Sequence, residues 1–223
     1  MKRWVCENCG KEFYAHQKSY GRPRLFCSKS CEVEHKKGLL VFGIAYNDVA
    51  EPVSKNKLAY TRWHGMLERC YSKAYQEQHP TYQGCSVCEE WLNFSAFLEW
   101  FNNNYVPGYD LDKDILFQGN KVYSPETCCF VPNEINKLLT DRKLHRGDCC
   151  LGVRVKNGRY YARCQNNTGQ PVPLGGFSSE DDAFEVYASF KMRVISGMAK
   201  KYFSKGLIKE NVYNALLNYK ITK

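Results

Sequence analysis

No apolar run in this sequence approaches the ~18–20 residues that a membrane-spanning helix needs, which excludes transmembrane function. The opening residues, Met1-Lys2-Arg3-Trp4, reach Cys6 without an apolar stretch, so a secretory leader is not expected. Acidic side chains are in deficit: 23 Asp and Glu stand against 32 Lys and Arg, a formal net charge of +9. Long repeats and low-complexity tracts are absent. With 43% hydrophobic and 25% charged residues, the composition is that of a folded chain rather than a disordered one. Its 223 residues fit one large or several small domains. Without a leader, the twelve cysteines read as thiols of a reducing compartment, used for metal ligation or burial rather than disulfides.

Charge is unevenly spread. Residues 1–40 carry nine basic and four acidic side chains, residues 41–145 ten and thirteen, and residues 146–223 thirteen and six. Two basic ends flank a slightly acidic centre. Basic modules gain affinity for a polyanion by releasing its condensed counterions, whereas an acidic centre suits divalent cations set against phosphates. Charge of this size also simply aids solubility. The expected organisation is therefore α+β in three parts, residues 1–40, 41–145 and 146–223.

In the first part, Cys6-x2-Cys9 and Cys27-x3-Cys31 form two short knuckles seventeen residues apart. Such pairs bring four thiolates into a tetrahedron around Zn²⁺, and Gly10 suits the tight turn after the first pair. His16 or His35 is the alternative to one of the cysteines. A module this small could hardly fold on its own core, so metal would supply much of its folding free energy. Phe13 and Phe26 offer a few apolar contacts, and Lys11, Lys18, Arg22, Arg24 and Lys29 offer charge to phosphate. The text Cys-Glu-Asn-Cys-Gly … Phe-Cys-Ser-Lys-Ser-Cys resembles the treble-clef zinc fingers, in which the last ligand opens a short helix; a closed four-ligand site is structural.

The second part opens with apolar residues at helical spacing, Trp63, Met66, Leu67, Cys70 and Tyr71. A polar stretch from Tyr71 to Gln83 containing Pro80 reads as loop. A second amphipathic helix carries Trp91, Phe94, Phe97, Leu98 and Phe101. Next, Tyr109 to Leu116 alternates as a strand with Asp110, Asp112 and Asp114 on one face, which puts Lys113 on the apolar side. Gly119-Asn120 is a hairpin signal, with Val122-Tyr123 expected to begin the return strand. Cys128 to Val131 reads as a short buried strand. Pro132 suits the first turn of a helix bearing Asn133, Asn136, Leu138 and Leu139. Strand carboxylates facing helix amides would hold one Mg²⁺-like ion through oxygen. A solvated acidic strand face is the plainer reading. Cys85-x2-Cys88 invites a second zinc, with Cys128 and Cys129, or Cys70, as its partners; adjacent cysteines rarely both ligate one ion, so the usual second knuckle is missing and buried thiols are the default there.

This strand–turn–strand–helix text resembles the HNH (ββα-metal) nucleases, in particular phage-encoded homing-type members. The wider match is Arg62-Trp63-x-x-Met66-x-x-Arg69-Cys70 … Tyr82-x-Gly84 … Val87-Cys88-x-Glu90-Trp91 … Leu111-Asp112-Lys113-Asp114 … Tyr123-Ser124-Pro125-Glu126-Thr127-Cys128 … Asn136. The resemblance implies a catalytic set of Asp112, Lys113, Asn120 and Asn136. It also implies a Mg²⁺ or Mn²⁺ site from Asp112, Asp114 and Asn133. It further implies a phage protein working in the bacterial cytoplasm. Lys113 stands where the family has His. Lysine is a poor base at neutral pH unless burial depresses it, so Lys113 either acts as a shifted base or neutralises phosphate while Asp112 or Asp114 handles water or metal. His64 or His79 approaching from elsewhere is another route, and loss of chemistry is the last.

After a basic linker (Arg142, Lys143, His145, Arg146), the third part reads as a hairpin around Asn157-Gly158. One face carries Arg154, Lys156, Arg159, Tyr161, Arg163 and Gln165; the other carries Val153, Val155, Tyr160, Ala162 and Cys164. A third strand is expected near Val172 to Phe177, then a helix capped by Ser179 with Ala183, Val186, Tyr187, Phe190 and Val194 on one side. Met198 to Tyr219 looks helical and basic. The texts Gly152-Val153-Arg154, Gly158-Arg159-Tyr160-x-Ala162, Leu174-Gly175-Gly176-Phe177 and Glu180-Asp181-Asp182-Ala183-Phe184-x-x-Tyr187 resemble the Apetala-type DNA-binding fold. That resemblance implies a sheet in the major groove, with the six residues of the first face reading DNA. The expected function is a DNA-binding, metal-dependent endonuclease that nicks or cuts duplex DNA. The alternative is a non-catalytic DNA-binding regulator on the same scaffold, and a third reading is an RNA-binding accessory protein.

Overall fold

The structure, a computed structural model, is described over residues 1–17, 23–37, 40–139 and 149–223. The linker cations Arg142, Lys143, His145 and Arg146, like Lys18 and Arg22, lie outside the described residues. The chain divides into two units, Met1–Asn103 with Lys121–Ser124, and Asn104–Asn120 with Pro125–Lys223. No helix among the described residues is long and apolar enough to cross a membrane.

The first unit begins with a hairpin of β1 (Lys2–Val5) and β2 (Glu12–Ala15), followed by α1 (Lys29–Lys37). Its apolar core comes from the two aromatic stripes. α2 (Lys57–Tyr71) buries Trp63, Met66, Leu67 and Cys70, and α4 (Phe94–Asn104) buries Phe94, Phe97 and Phe101. Trp91 joins them, and the Trp63 indole donates to its carbonyl at 2.6 Å, so the buried polar tip of Trp63 is satisfied. The stretch expected as loop after Tyr71 instead forms α3 (Lys73–Gln78). Ser72 starts it by accepting from the Tyr75 N–H at 3.3 Å. The Gln76 amide then donates to the carbonyls of Arg69 and Cys70 left open at the end of α2. Capping of this kind adds a helix where hydrophobic periodicity gives no signal.

Val122-Tyr123 does not return along the Tyr109 strand. It forms β5 and pairs in parallel with β3 (Ser86–Val87), through Ser86↔Val122 and Val87↔Tyr123. Tyr123 is 3% exposed, and its hydroxyl accepts from Arg69 Nε at 3.0 Å. Burial of this ring beside Arg69 is what draws the segment away from the expected hairpin.

In the second unit, the antiparallel partner of β4 (Tyr109–Asp112) is β6 (Cys129–Pro132), with Asp110 opposite Val131 and Asp112 opposite Cys129. Pro132 ends that strand instead of opening the helix, and α5 (Asn133–Leu139) follows directly. A strand–strand–helix unit is therefore present, with a longer connection than the sequence suggests.

The three-stranded sheet has the order β7 (Val153–Lys156), β8 (Arg159–Gln165), β9 (Pro171–Phe177), all antiparallel. The turn between the first two has φ of 51° at Asn157 and 73° at Gly158, the left-handed pair that a two-residue hairpin requires. α6 (Glu180–Ser204) backs the sheet, and Ser179 Oγ caps the Asp182 N–H at 3.1 Å. Val153, Ala162 and Cys164 pack on Ala183, Phe184 and Tyr187. Val155, expected on the inner face, is instead exposed. The tail is helical but broken: a turn at Gly206 separates α6 from α7 (Glu210–Leu217), which folds back and buries Val212 and Leu216.

Gly152 closes this module. Its φ is +76°, and a Cβ there would lie 2.0 Å from the buried Tyr187 ring. Gly152→Ala is expected to destabilise the sheet module by about 2–5 kcal/mol, combining left-handed strain with overpacking. Chemical denaturation followed by near-UV circular dichroism checks this.

Candidate metal centre and nucleic-acid interface

The four N-terminal cysteines converge. Their sulfur atoms all lie within 4.8 Å of one another, with Cys9–Cys27 at 3.7 Å and Cys27–Cys31 at 3.5 Å. A tetrahedron of Zn–S bonds near 2.3 Å has edges of about 3.8 Å, so these sulfurs sit at metal-ligand spacing. The backbone builds the cluster from two directions. The Gly10 N–H donates to the Cys6 carbonyl at 2.9 Å, closing the first knuckle. Ser28 Oγ accepts from the Cys31 N–H at 3.1 Å, which places Cys31 in the first turn of α1, where the helix dipole favours a thiolate. The thiols share protons unequally. Desolvation raises Cys6, but hydrogen bonds from the backbone of Cys27, Cys9 and Asn8 outweigh it and hold Cys6 at about 6. Cys27, bonded to the Cys31, Cys6 and Cys9 sulfurs, is pushed up to about 12. Four soft donors at this spacing fit a structural metal such as zinc. His35 lies tilted against Phe26 with ring centroids 5.0 Å apart, His16 accepts from Arg24 through its carbonyl, and neither imidazole belongs to the sulfur group.

Among the described residues no second group of His, Cys, Asp and Glu converges in this way. Cys85 and Cys128 are buried, and burial also pushes the Cys129 thiol well above its ordinary value. These are packed, buried thiols.

At the strand–strand–helix unit the acidic residues separate into three roles. Asp110, not Asp112, meets the helix. Its Oδ2 accepts from Asn133 Nδ2 at 2.6 Å and Asn136 Nδ2 at 3.2 Å. Asp112 turns toward the chain ahead, and its Oδ1 accepts the backbone N–H groups of Asp114 and Ile115 at 2.7 and 2.8 Å. The strand ends at Asp112, so Asp114 lies in the following bend rather than on the strand face. Lys113 does fall inward, 6% exposed, although it too lies in the bend beyond the strand. Its amine donates to Asp114 Oδ1 at 2.6 Å and to the Asn120 carbonyl at 2.8 Å, while the Asn120 amide donates back to the Lys113 carbonyl at 2.9 Å. Lys113 and Asn120, seven positions apart, are thus joined by reciprocal bonds. Sequence reasoning put Asp110 on the acidic face but left it out of the site. The missed signal is the pair Asn133 and Asn136, whose i, i+3 spacing aims two amides at one strand residue.

Burial raises the Asp112 carboxyl above its ordinary value, against the two backbone hydrogen bonds that lower it. A raised folded value means that stability from this group falls as pH rises from the ordinary carboxylate value through the folded one. Asp112→Asn keeps an oxygen for both N–H groups and removes the buried charge. It is expected to melt higher than the native chain at pH 7, with the difference vanishing in acid. Asp112→Ala leaves two N–H groups without their acceptor and is expected to lose about 1–3 kcal/mol. Thermal melts across pH 4–8 check both.

The outer face of the C-terminal sheet has the clearest charge pattern. Arg154, Lys156, Arg159, Arg163 and Gln165 are exposed, and Tyr161 lies among them half-buried. Pairing sets Arg154 opposite Tyr161 and Lys156 opposite Arg159. None of the three strands contains an acidic residue. Arg159 Nη2 reaches the Gly176 carbonyl at 3.3 Å, and a Cβ at Gly176 would meet the Tyr161 ring at 2.9 Å. The Tyr161 ring thus lies over Gly176, and exposed Pro173 and Pro171, opposite Arg163 and Gln165, continue the β9 side of this face beside a rank of cations. All six residues named from the sequence lie together here.

Comparison with protein-family models, with curated proteins and with solved structures finds no match to this chain.

Proposed function

We propose that this chain is a DNA-binding, divalent-metal-dependent endonuclease of HNH homing type. The single observation that carries the reading is the outer sheet face, with four cations, an aromatic ring and no acid on any of its strands. Phosphate contacts from Arg and Lys supply affinity, and an Arg bidentate to guanine supplies about 1–3 kcal/mol of base discrimination. The zinc-type module stiffens a second basic segment. The strand–strand–helix unit is the cutting centre. Mg²⁺ or Mn²⁺ bound among Asp110, Asp112, Asp114 and the Asn133 and Asn136 amides would stabilise phosphate charge and help activate water. Asp112 and Asn120 shape the loop, and Lys113, tied to Asp114, balances charge beside the phosphate.

One observation favours a second reading, a non-catalytic DNA-binding regulator. Where the family has a His base, the Lys113 amine is buried and engaged by Asp114 and the Asn120 carbonyl. The experiment is supercoiled plasmid with Mg²⁺ or Mn²⁺, using native protein beside the Asp112→Asn and Asp110→Asn variants. Metal-dependent nicking lost in folded variants supports the enzyme. Tight duplex binding with no cleavage by native protein supports the regulator. Preference for structured RNA over duplex DNA at matched salt contradicts both.

A further inference from the structure

α6 serves two cores in the same unit. Near its start, Ala183, Phe184 and Tyr187 back the basic sheet; twelve positions on, Ile195, Met198 and Ala199 pack on the strand–strand–helix unit. At 1.5 Å per residue the two contacts are about 18 Å apart along one helix. A second connection runs alongside. Gln118, in the loop that carries Lys113 and Asn120, exchanges two hydrogen bonds with the backbone of Lys220: Nε2 to the carbonyl at 2.6 Å and Oε1 from the N–H at 3.0 Å. Ile221 packs against both cores. Lys223 then pairs with Asp181 at the start of α6 and lies over the Phe184 ring. The segment Tyr219–Lys223 therefore runs from the Lys113 loop to the helix start behind the sheet.

A lone helix spanning two cores can bend or twist between them. Two separate attachments cannot do so without breaking one. We infer that α6 and the Tyr219–Lys223 segment lock the sheet and the strand–strand–helix unit into one rigid reader. What the Lys113–Asn120 loop touches then lies at a fixed displacement from what the sheet reads. Gln118 and Ile221 are the positioning residues. They act by holding that loop in register with Arg154 and Arg163. The inference rests on the DNA-binding reading for its ligand but not for its mechanics.

Two readouts on the full chain separate these parts. In the free protein, Ile221→Ala and Gln118→Ala are expected to speed amide exchange at residues 113–120 by about tenfold or more, with the amides of β7–β9 within about twofold of native. Ile221→Val is expected to restore native exchange. On a duplex selected for binding, the native protein is expected to give two protected patches at constant separation in hydroxyl-radical footprinting. Both alanine variants keep the sheet's patch and blur the other. Gln118 is exposed, so its variant retains the test if Ile221→Ala misfolds. Unchanged exchange at residues 113–120 in Gln118→Ala overturns the lock. Altered exchange without any duplex footprint overturns the DNA reading and leaves the lock standing.

Discussion

Removing metal from the four-cysteine cluster is expected to melt β1, β2 and α1 while the C-terminal sheet stays folded. The hairpin of β1 and β2 and the short α1 bury little. Of the four cysteines only Cys6 is buried, and Cys9 and Cys27 are exposed. A segment with so small a core cannot offset its conformational entropy by burial alone. Structural zinc contributes an apparent ~10–16 kcal/mol in finger-like peptides at neutral pH, enough to decide whether such a segment folds. The chain is expected to carry one zinc, released by a chromogenic chelator with loss of ordered amide signals from β1, β2 and α1. Cys27→Ser removes a sulfur close to two others and is expected to weaken zinc binding by at least about 100-fold. Cys149→Ser, outside the cluster, is expected to leave it unchanged. Zinc must displace the thiol protons, so binding weakens as pH falls.

The second large effect is on nucleic acid. Arg154→Ala combined with Arg163→Ala removes two exposed guanidinium groups whose side chains bury little, so the sheet is expected to stay folded. Each contributes about 1–3 kcal/mol if it meets a base edge, so the pair is expected to weaken specific duplex binding by about 10²–10⁴-fold. Arg→Lys at both positions keeps the charge and loses the planar fork. It is expected to recover non-specific binding far more than specific binding. Gel-shift titrations against a selected duplex and a scrambled one check this.

Much of the fold is legible where one residue type has one use. The cysteine knuckles, the Asn157-Gly158 turn, the Ser179 cap and the aromatic stripes of α2 and α4 each act locally, and the structure contains all of them. The alternation of β7 and β8 places the cations correctly, because a packed helix fixes which face is inward. Non-local pairing is where local reading stops. Gly119-Asn120 is a good hairpin signal, yet Val122-Tyr123 leaves to pair with Ser86–Val87, because burial of Tyr123 depends on Arg69, 54 positions away. The same holds at the strand–strand–helix unit. Alternation puts Asp110, Asp112 and Asp114 on one face, but the strand stops at Asp112, whose carboxylate finds nearer partners in the backbone ahead. Asp110 is left to meet Asn133 and Asn136. The architecture of each part is therefore readable, while the partner of each carboxylate is not.

In the proposed function, the outer face of the β7–β9 sheet grips duplex DNA through its cations. The direct measurement is the dependence of duplex affinity on salt, for the native chain and for a variant with Arg154, Lys156, Arg159 and Arg163 all replaced by Gln. Each phosphate neutralised contributes about 0.9 to the slope of log K against log salt, so the variant's slope is expected to be shallower by about two to three. Equal slopes for the two proteins, or an affinity for duplex that salt does not change, would contradict the claim.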